Sequence, residues 1–467
     1  MKLRHLTPEE RAARGKRARA KVPLASHAVW EPPSDRTNPV DLLGHQATTR
    51  IPELVPIRYG RMLASPFSYF RGAALPMAAD LAATGQSGLK AQLCGDAHLS
   101  NFGLFGSPER HLFFDVNDFD ETLRGPWEWD VKRLAASLEV AGRDHEFDEH
   151  DRKQVIGHAV RAYREAMRKF STMSALEVWY SRVDTSDLLP RFRSLLDRNR
   201  TPSVWRAIHK ARAHDSHQAF DKLCQQMDGE PRIVSDPPVI VPVENLMAGV
   251  DTGIALEAMR AFLISYHRTL PDDRRRLLDQ YRVVHAARKV VGVGSVGTDV
   301  WIVLLFDGRG SPLLLQIKEA QASVLEQFTS KGQYANQGRR VVAGQHLMQS
   351  ASDIFLGWES ARGRFDWQAS EREYYVRQLR DWKGSADITA MTVAGMRLWG
   401  EMCGWTLARA HARSGDRIAI GSYLGKSKEF DNALVDFSIA YADQNESDYR
   451  LLQEAVATGR VIADAGV

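Results

Sequence analysis

The stretch CGDAHLSNFG, residues 94–103, sets a carboxylate (Asp96), an imidazole (His98) and an amide (Asn101) between two glycines. Such spacing lets an aspartate accept the proton of an attacking hydroxyl or amine. The asparagine then turns back to ligate a magnesium ion on nucleotide phosphates. His98 would orient the loop by hydrogen bonding. The same spacing is common by chance, and the stretch alone also reads as a polar turn with a packed histidine.

LFFDVNDFDET, residues 112–122, follows with Asp115, Asp118, Asp120 and Glu121 at the end of an apolar run. In an extended segment Asp118 and Asp120 share one face while Phe119 packs on the other. Two hard carboxylates on one face, just past an amide-bearing loop, suit magnesium. Asp118 is the first candidate ligand and Asp120 the second. The plainer alternative is a solvated acidic turn.

Far downstream, VGVGSVGT carries Gly292, Gly294, Ser295 and Gly297 just before the apolar run DVWIVLLF. A helix after these glycines would suggest a dinucleotide site. A strand suggests a hairpin whose backbone N–H groups cover phosphates. Lys318 stands near the end of the next apolar run, LLLQIKEA. A lysine inside a strand is costly unless it has a partner. After a glycine hairpin it fits the lysine that holds nucleotide phosphates and is itself fixed by a glutamate on the following helix. Glu326 is the expected partner; Glu319 should point to the opposite face. The alternatives are a bulged hairpin and an edge lysine with its amine in solvent. A nucleotide touching both Lys318 and Asp118 requires them within about 15 Å of each other.

These side chains need elements to carry them. Residues 88–121 read as three short strands, LKAQL, NFGLF and HLFFDV. Helical spacing starts near Trp129, with Val131, Leu134 and Leu138, and recurs over 149–172 and 254–268. From 285 the period changes to strand, glycine loop, strand, GRGSP turn, strand, helix. Helical spacing returns at 338–352, 371–383, 390–413 and 428–442. The chain thus divides into an N-terminal arm (1–50) and a region bearing the acid loops (51–284), with a helical insertion at about 149–230. A nucleotide-binding region with the glycine hairpin (285–355) and a helical C-terminal region (356–467) complete it. The basic run at 10–21 reads as a solvated, partly helical tail. Residues 57–72 interleave Arg58, Arg61 and Arg71 with Tyr59, Phe67, Tyr69 and Phe70. They serve either as arginines lying over aromatic faces or as a basic rim facing phosphate.

Composition bounds the function. Over 467 residues, 44% hydrophobic and 26% charged content suits a soluble globular protein. A net charge of +4 argues against an obligate nucleic-acid partner. Cys94, Cys224 and Cys403 match no zinc spacing and suit a reducing cytoplasm. The basic N-terminus has no apolar core behind it, so no secretory signal is expected. The apolar runs are strand-length, so no membrane span is expected either. Oligomeric state and the acceptor are not legible.

IRYGRM, YFRGAA, CGDAHLSNFG, ARKVVGVGSVGT, QIKEAQASVLE and YADQ resemble the bacterial family of domain of unknown function 2252, over nearly the whole chain. The CGDAHLSNFG stretch is also similar to the aminoglycoside and choline phosphotransferases, whose loop reads H-G-D-x-H-x-x-N. That resemblance implies Asp96 as the catalytic aspartate, Asn101 and Asp118 as metal ligands, and Asp130 in WEWDVKRLA as a structural aspartate. It implies that GWTLARAH (404–411) is the helix that precedes the catalytic loop in those enzymes. Cys94 stands where they have a histidine, and D-F-G is missing. Kinases place the glycine loop and lysine before the catalytic aspartate; here the order is reversed, as a circular permutation would make it. The expected fold is therefore α+β, two-lobed and protein-kinase-like (aminoglycoside phosphotransferase-like), helix-rich and circularly permuted. The expected function is ATP- and Mg2+-dependent phosphotransfer to a small-molecule acceptor. Nucleotidyl transfer by the same site, a nucleotide-binding pseudokinase with a regulatory role, and a metal-dependent hydrolase built on Asp96, His98, Asp115 and Asp118 stay open.

Overall fold

The computed structural model describes residues 6–184, 216–227, 229–246, 252–362, 371–379 and 382–466. Strands β1 (Lys90–Leu93), β2 (Phe102–Gly106) and β3 (Leu112–Val116) form where the apolar runs predict them. They do not make one sheet. β1 pairs with β4 (Leu123–Pro126), whereas β2 pairs with β3, and β3 with β5 (Val183–Asp184). The loop Cys94–His98 and the 3-10 turn Leu99–Asn101 carry the chain from one sheet to the other. The candidate loop is thus a crossing between sheets. β6 (Cys224–Met227) and β7 (Glu230–Ile233) form a separate hairpin.

The largest sheet is antiparallel and six-stranded. It contains β8 (Ile240–Pro242), β9 (Tyr281–Lys289), β10 (Val300–Asp307), β11 (Pro312–Glu319), β12 (Gly357–Arg362) and β13 (Glu371–Gln378), in the order β12-β13-β11-β10-β9-β8. WIVLLF reads as a continuous apolar run because both faces of β10 are covered. Trp301, Val303 and Leu305 pack with Met259, Phe262 and Tyr266 of the helix Thr252–His267. Ile302 and Leu304 pack on the other side with Ala219 and Leu223 of the helix Ser216–Leu223. Each such side chain contributes about 1.5–3 kcal/mol on burial.

Two expectations fail in this region. Residues 371–383, expected as a helix, contain β13 instead. EREYYVRQ follows a two-residue period: Tyr374 and Val376 face the Thr252–His267 helix, and Tyr375 faces the other way. Aromatic and β-branched residues favour that choice. The helix expected after Lys318 is only a 3-10 turn, Val324–Gln327, capped by the Ser323 side chain. The sheet also takes strands from outside 285–355, at both ends.

The remaining helices form the second body. Trp127–Asp144, Glu149–Phe170, Val393–Ser414 and Glu429–Ala457 bury Leu134, Leu138, Tyr163, Met167, Leu407 and Phe437 in one core. The Glu149–Phe170 helix belongs to that core, so the insertion expected from 149 does not begin there. Residues 185–215 and 228 of that stretch lie outside the described residues. The basic N-terminal run is not a solvated tail. Pro8–Lys21 is a helix with a Thr7/Glu10 capping box. Its Gly15 approaches the helix Arg417–Leu424 so closely that a Cβ would lie 2.0 Å from the Ala419 carbonyl oxygen. Small residues on one face dock the helix while its arginines stay outward. Leu24 and Trp30 continue into the main core.

Candidate functional site

The CGDAHLSN loop is held from below by the Trp127–Asp144 helix. Cys94 and Gly95 donate their backbone N–H groups to Asp130 Oδ2 and Oδ1 at 2.9 and 3.0 Å. His411 Nε2 lies 3.2 Å from Asp130 Oδ2, and its Nδ1 lies 2.9 Å from the Tyr163 hydroxyl. The loop is therefore positioned through its backbone. A histidine side chain at position 94 is not needed for that. Cys94 itself is buried, which pushes its thiol well above the ordinary range. Gly95 has φ +85°, and a Cβ there would lie 2.2 Å from the Glu121 carbonyl oxygen. A side chain would be strained and would clash.

Asp96 Oδ1 accepts from Arg133 Nε. Its other oxygen lies 3.7 Å from His98 Nε2. Burial raises the Asp96 carboxyl above its ordinary range, against the pull of Arg133 and Arg71. Burial, then the charges of Arg71 and Arg133, push the His98 imidazole far below its ordinary value, so it is neutral. His98 Nδ1 accepts from the Ser100 N–H at 3.2 Å, which assigns the proton to Nε2. His98 thus caps the turn that orients Asn101. The Asn101 amide nitrogen donates to the Asp96 carbonyl at 2.8 Å, which leaves its oxygen available to a cation.

The acids that follow divide into different roles. Asp115 is sealed in the core, paired with Arg409 and accepting from Ser350 N–H and Oγ at 2.9 Å each. It is structural, and the four-residue hydrolase set loses one member. Asp120 is the partner of Lys318. It also accepts from the Tyr375 hydroxyl at 2.8 Å and from Ser295 Oγ at 3.1 Å. Against burial, Lys318 and Tyr375 hold the Asp120 carboxylate below its ordinary range. The charges of Asp118 and Asp120, with Tyr375, raise the pKa of Lys318 despite its burial. Glu326, expected as the lysine's partner, instead accepts from Gly332 N–H at 3.3 Å and faces Arg340. The missing helix explains this: a 3-10 turn carries Glu326 away from β11. Lys318 is on an interior strand and 3% exposed, so it is not an edge lysine.

Asp118 accepts one hydrogen bond, from Asp120 N–H at 3.2 Å. Burial and the neighbouring Asp120 raise its pKa. A buried carboxylate beside a second carboxylate is the donor chemistry a divalent cation satisfies. Among the described residues no group of three or more His, Cys, Asp or Glu is arranged to hold a metal. A magnesium ion here would rest on Asp118 and Asn101, with phosphate oxygens supplying the remainder.

Two cavities meet at these residues. One is a cleft of about 1060 Å³, lined among others by Asp120, Glu121, Gly294, Ser295, Glu319 and Arg372. The second, of about 40 Å³, is lined by Asp96, Asp118, Asp120, Glu121, Gly294, Ser295, Arg58 and Arg71, among others. Gln46, Asp120, Glu121, Gly294 and Ser295 border both. The glycine loop is the expected strand–loop–strand, with a 3-10 turn at Val293–Ser295. A Cβ at Gly292 would meet nothing within 4 Å, and one at Gly294 only the Arg71 carbonyl oxygen at 3.7 Å. The space beside these two exposed glycines is open. Gly297 is different: it takes φ +89° and its carbonyl accepts from Ile51 N–H at 2.7 Å. Arg50 donates to the carbonyls of Gly294 and Val296 and so ties the loop down.

The structure therefore gathers Asp96, Asp118, Asp120, Gly294, Ser295 and Lys318, sets Asn101 and His98 in the supporting turn, and leaves Glu326 apart. Sequence reasoning missed Arg133, Tyr375 and Arg340, and named Glu121 without giving it a role. Arg133 was findable, since Asp130 and Arg133 lie one turn apart on one helix face below the loop. Tyr375 was hidden by the helical reading of its strand. Arg340 donates to the carbonyls of Asp120, Thr122 and Gln321, a role without a sequence signal. Burial pushes the Glu121 carboxyl up to about 7, although its Oε2 accepts from Val324 N–H at 2.7 Å.

Fold and site define a mixed α+β protein in which an acid loop, a strand lysine and a glycine loop meet at the Asp120 carboxylate, beside a cleft. The chain belongs to the bacterial family described as "Uncharacterized protein conserved in bacteria (DUF2252)", whose model matches residues 50–455. No curated protein and no solved structure matches it. Among the described residues no helix is long and apolar enough to cross a membrane.

Proposed function

We propose that this protein is an ATP- and Mg2+-dependent phosphotransferase with a circularly permuted, kinase-like two-lobed fold, acting on a small-molecule acceptor. One observation carries the reading. The Asp120 carboxylate joins the acid loop to Ser295 of the glycine loop, 175 positions away, and to Lys318 on the neighbouring strand. Three motifs that have no local reason to meet are joined at one carboxylate that borders the cleft.

Within this reading the chain's own residues divide the work. Lys318, fixed by Asp120 and Tyr375, holds phosphate oxygens. The N–H groups around Gly292 and Gly294 approach the phosphates in the space the glycines leave. Asp118 and the Asn101 oxygen hold the metal, which when bound neutralises the charge of the transferring phosphoryl group. Arg133 fixes one Asp96 oxygen. The other accepts the acceptor's proton as the new P–O bond forms and the bond to the leaving nucleoside diphosphate breaks. Burial raises the pKa of Asp96, the direction that favours proton acceptance.

The test is a thermal shift with Mg-ATP, followed by product analysis. Wild type should be stabilised and should form ADP with an acceptor pool. Asp96→Asn should keep the shift and lose about 10²–10⁴-fold in turnover. No shift in wild type sinks the proposal. A shift with no turnover identifies a nucleotide-binding pseudokinase, and pyrophosphate as product identifies nucleotidyl transfer.

A further inference from the structure

The phosphotransfer reading leaves Arg58 and Arg71 unused, and both line the small cavity beside Asp96. Arg58, on the helix Val55–Met62, is 0% exposed. Its Nη2 donates to Gln46 Oε1 at 2.6 Å and to the Gly72 carbonyl at 3.0 Å. Its Nε and Nη1 are buried with no hydrogen-bond partner. Arg71, on the following helix Pro66–Gly72, likewise has a buried Nε with no partner. Among the described residues neither guanidinium has an ion pair. A buried cation with unmade hydrogen bonds is costly, and a fold keeps one where something arrives to satisfy it.

The acids around the cavity are already engaged. Asp96 is held by Arg133, Asp120 by Lys318, and Glu121 by the Val324 N–H. Among the described residues neither Asp118 nor Glu121 has an ion pair: Asp118 accepts from the Asp120 N–H and Glu121 from the Val324 N–H. The uncommitted donors are thus cationic. Guanidinium groups match oxyanions geometrically, since their N–H donors fork onto two oxygens. A cavity of about 40 Å³ accommodates about three waters, or one tetrahedral oxyanion in their place. Burial also pulls the pKa of both arginines downward, a cost that an arriving anion reverses.

We propose that Arg58 and Arg71 bind a phosphoryl-sized oxyanion in the cavity beside Asp96. The pocket stands on its own geometry; the phosphotransfer reading enters only in naming the anion's source. That source is either the terminal phosphate of a nucleotide in the adjoining cleft or a phosphate carried by the acceptor.

The experiment is calorimetric titration of the full chain with inorganic phosphate. Wild type should bind saturably. Arg71→Met should weaken binding by about tenfold or more, and Arg71→Lys by less. Arg71 is the primary variant because it is less buried than Arg58, and a thermal melt checks that each variant remains folded. Absence of saturable phosphate binding in wild type overturns the proposal, as does unchanged affinity in folded Arg71→Met. Repeating the titration with saturating Mg-ADP and with a β,γ-imido ATP analogue assigns the source. Phosphate that binds beside Mg-ADP but not beside the analogue occupies the terminal-phosphate position. Phosphate that binds beside both occupies an acceptor position. A wild type that binds phosphate but no nucleotide sinks the phosphotransfer reading and leaves this pocket standing.

Discussion

Lys318 and Asp120 depend on each other. Removing one partner of a buried ion pair leaves an uncompensated charge, and the cost of that exceeds the worth of the pair itself. Lys318→Met should therefore destabilise the protein by about 3 kcal/mol in urea unfolding, the low end for buried pairs because Asp120 keeps 27% of its side-chain exposure. Lys318→Met/Asp120→Leu should recover part of that loss. A full 3 kcal/mol retained in the double variant would mean that the lysine acts by packing. Glu121 makes a second residue-scale prediction. Its folded-state pKa of about 7 stands above the ordinary 4.5. Folded protein therefore holds the proton more tightly, and its stability falls as pH rises from 4.5 to 7. Glu121→Gln keeps the acceptor for Val324 N–H and removes the ionisation. Stability should become flatter across that window and gain on the order of 2–3 kcal/mol at pH 8.

At the scale of elements, the two glycine-bearing loops behave differently. Gly95 sits where backbone dihedrals and the Glu121 carbonyl both exclude a side chain. Gly95→Ala should cost about 2 kcal/mol or more and shift the loop that carries Asp96. Gly292 borders open space, so Gly292→Ala should leave the melting temperature within about 1 °C while weakening Mg-ATP binding. Comparable destabilisation in both variants would show that the glycine hairpin is kept for folding alone. The crossing between sheets has the same logic. β1 and β2 belong to different sheets, so the loop between them has no ladder of its own, and Asp130 supplies the missing acceptors. His411 then holds Asp130, which explains why a helix from the far end of the chain packs beneath this loop.

At the scale of the molecule, distant segments are tied by arginines. Arg36 donates to Asp80 at 2.7 and 2.9 Å and to Asp448 at 2.8 and 2.6 Å. It joins the N-terminal segment to the helices Ala74–Ala82 and Glu429–Ala457. Arg36→Ala strands two acids that are each 3% exposed, and should cost about 3–5 kcal/mol at pH 7. Burial already raises the Asp448 carboxyl against the pull of Arg36, so without the arginine it holds its proton more tightly in the folded state and the deficit should shrink as pH falls through the carboxylate range. A deficit constant with pH would place the cost in lost packing instead. The N-terminal segment also fixes the glycine loop through Arg50, and Arg61 donates to the Val291 carbonyl at 2.6 Å.

Residue types and local period were enough for much of this protein. The long helices, the strands β1–β3, β10 and β11, and the strand–glycine–strand hairpin follow from apolar spacing, which is a local property. Asp96, Asn101, Asp118 and Lys318 stood out because their chemistry is costly to keep without a use. Partners did not follow. Asp120 rather than Glu326 holds Lys318, since pairing depends on which sheet edge faces which turn, and register between distant segments is set by packing on both sides. EREYYVRQ, expected as a helix, has a two-residue period of its own that fits a strand, and β11 and β12 on either side hold it in the sheet. The small cavity and its two unsatisfied arginines needed the folded chain altogether. Burial is what turns an arginine among aromatics into a cation waiting for an anion, and burial belongs to the tertiary structure alone.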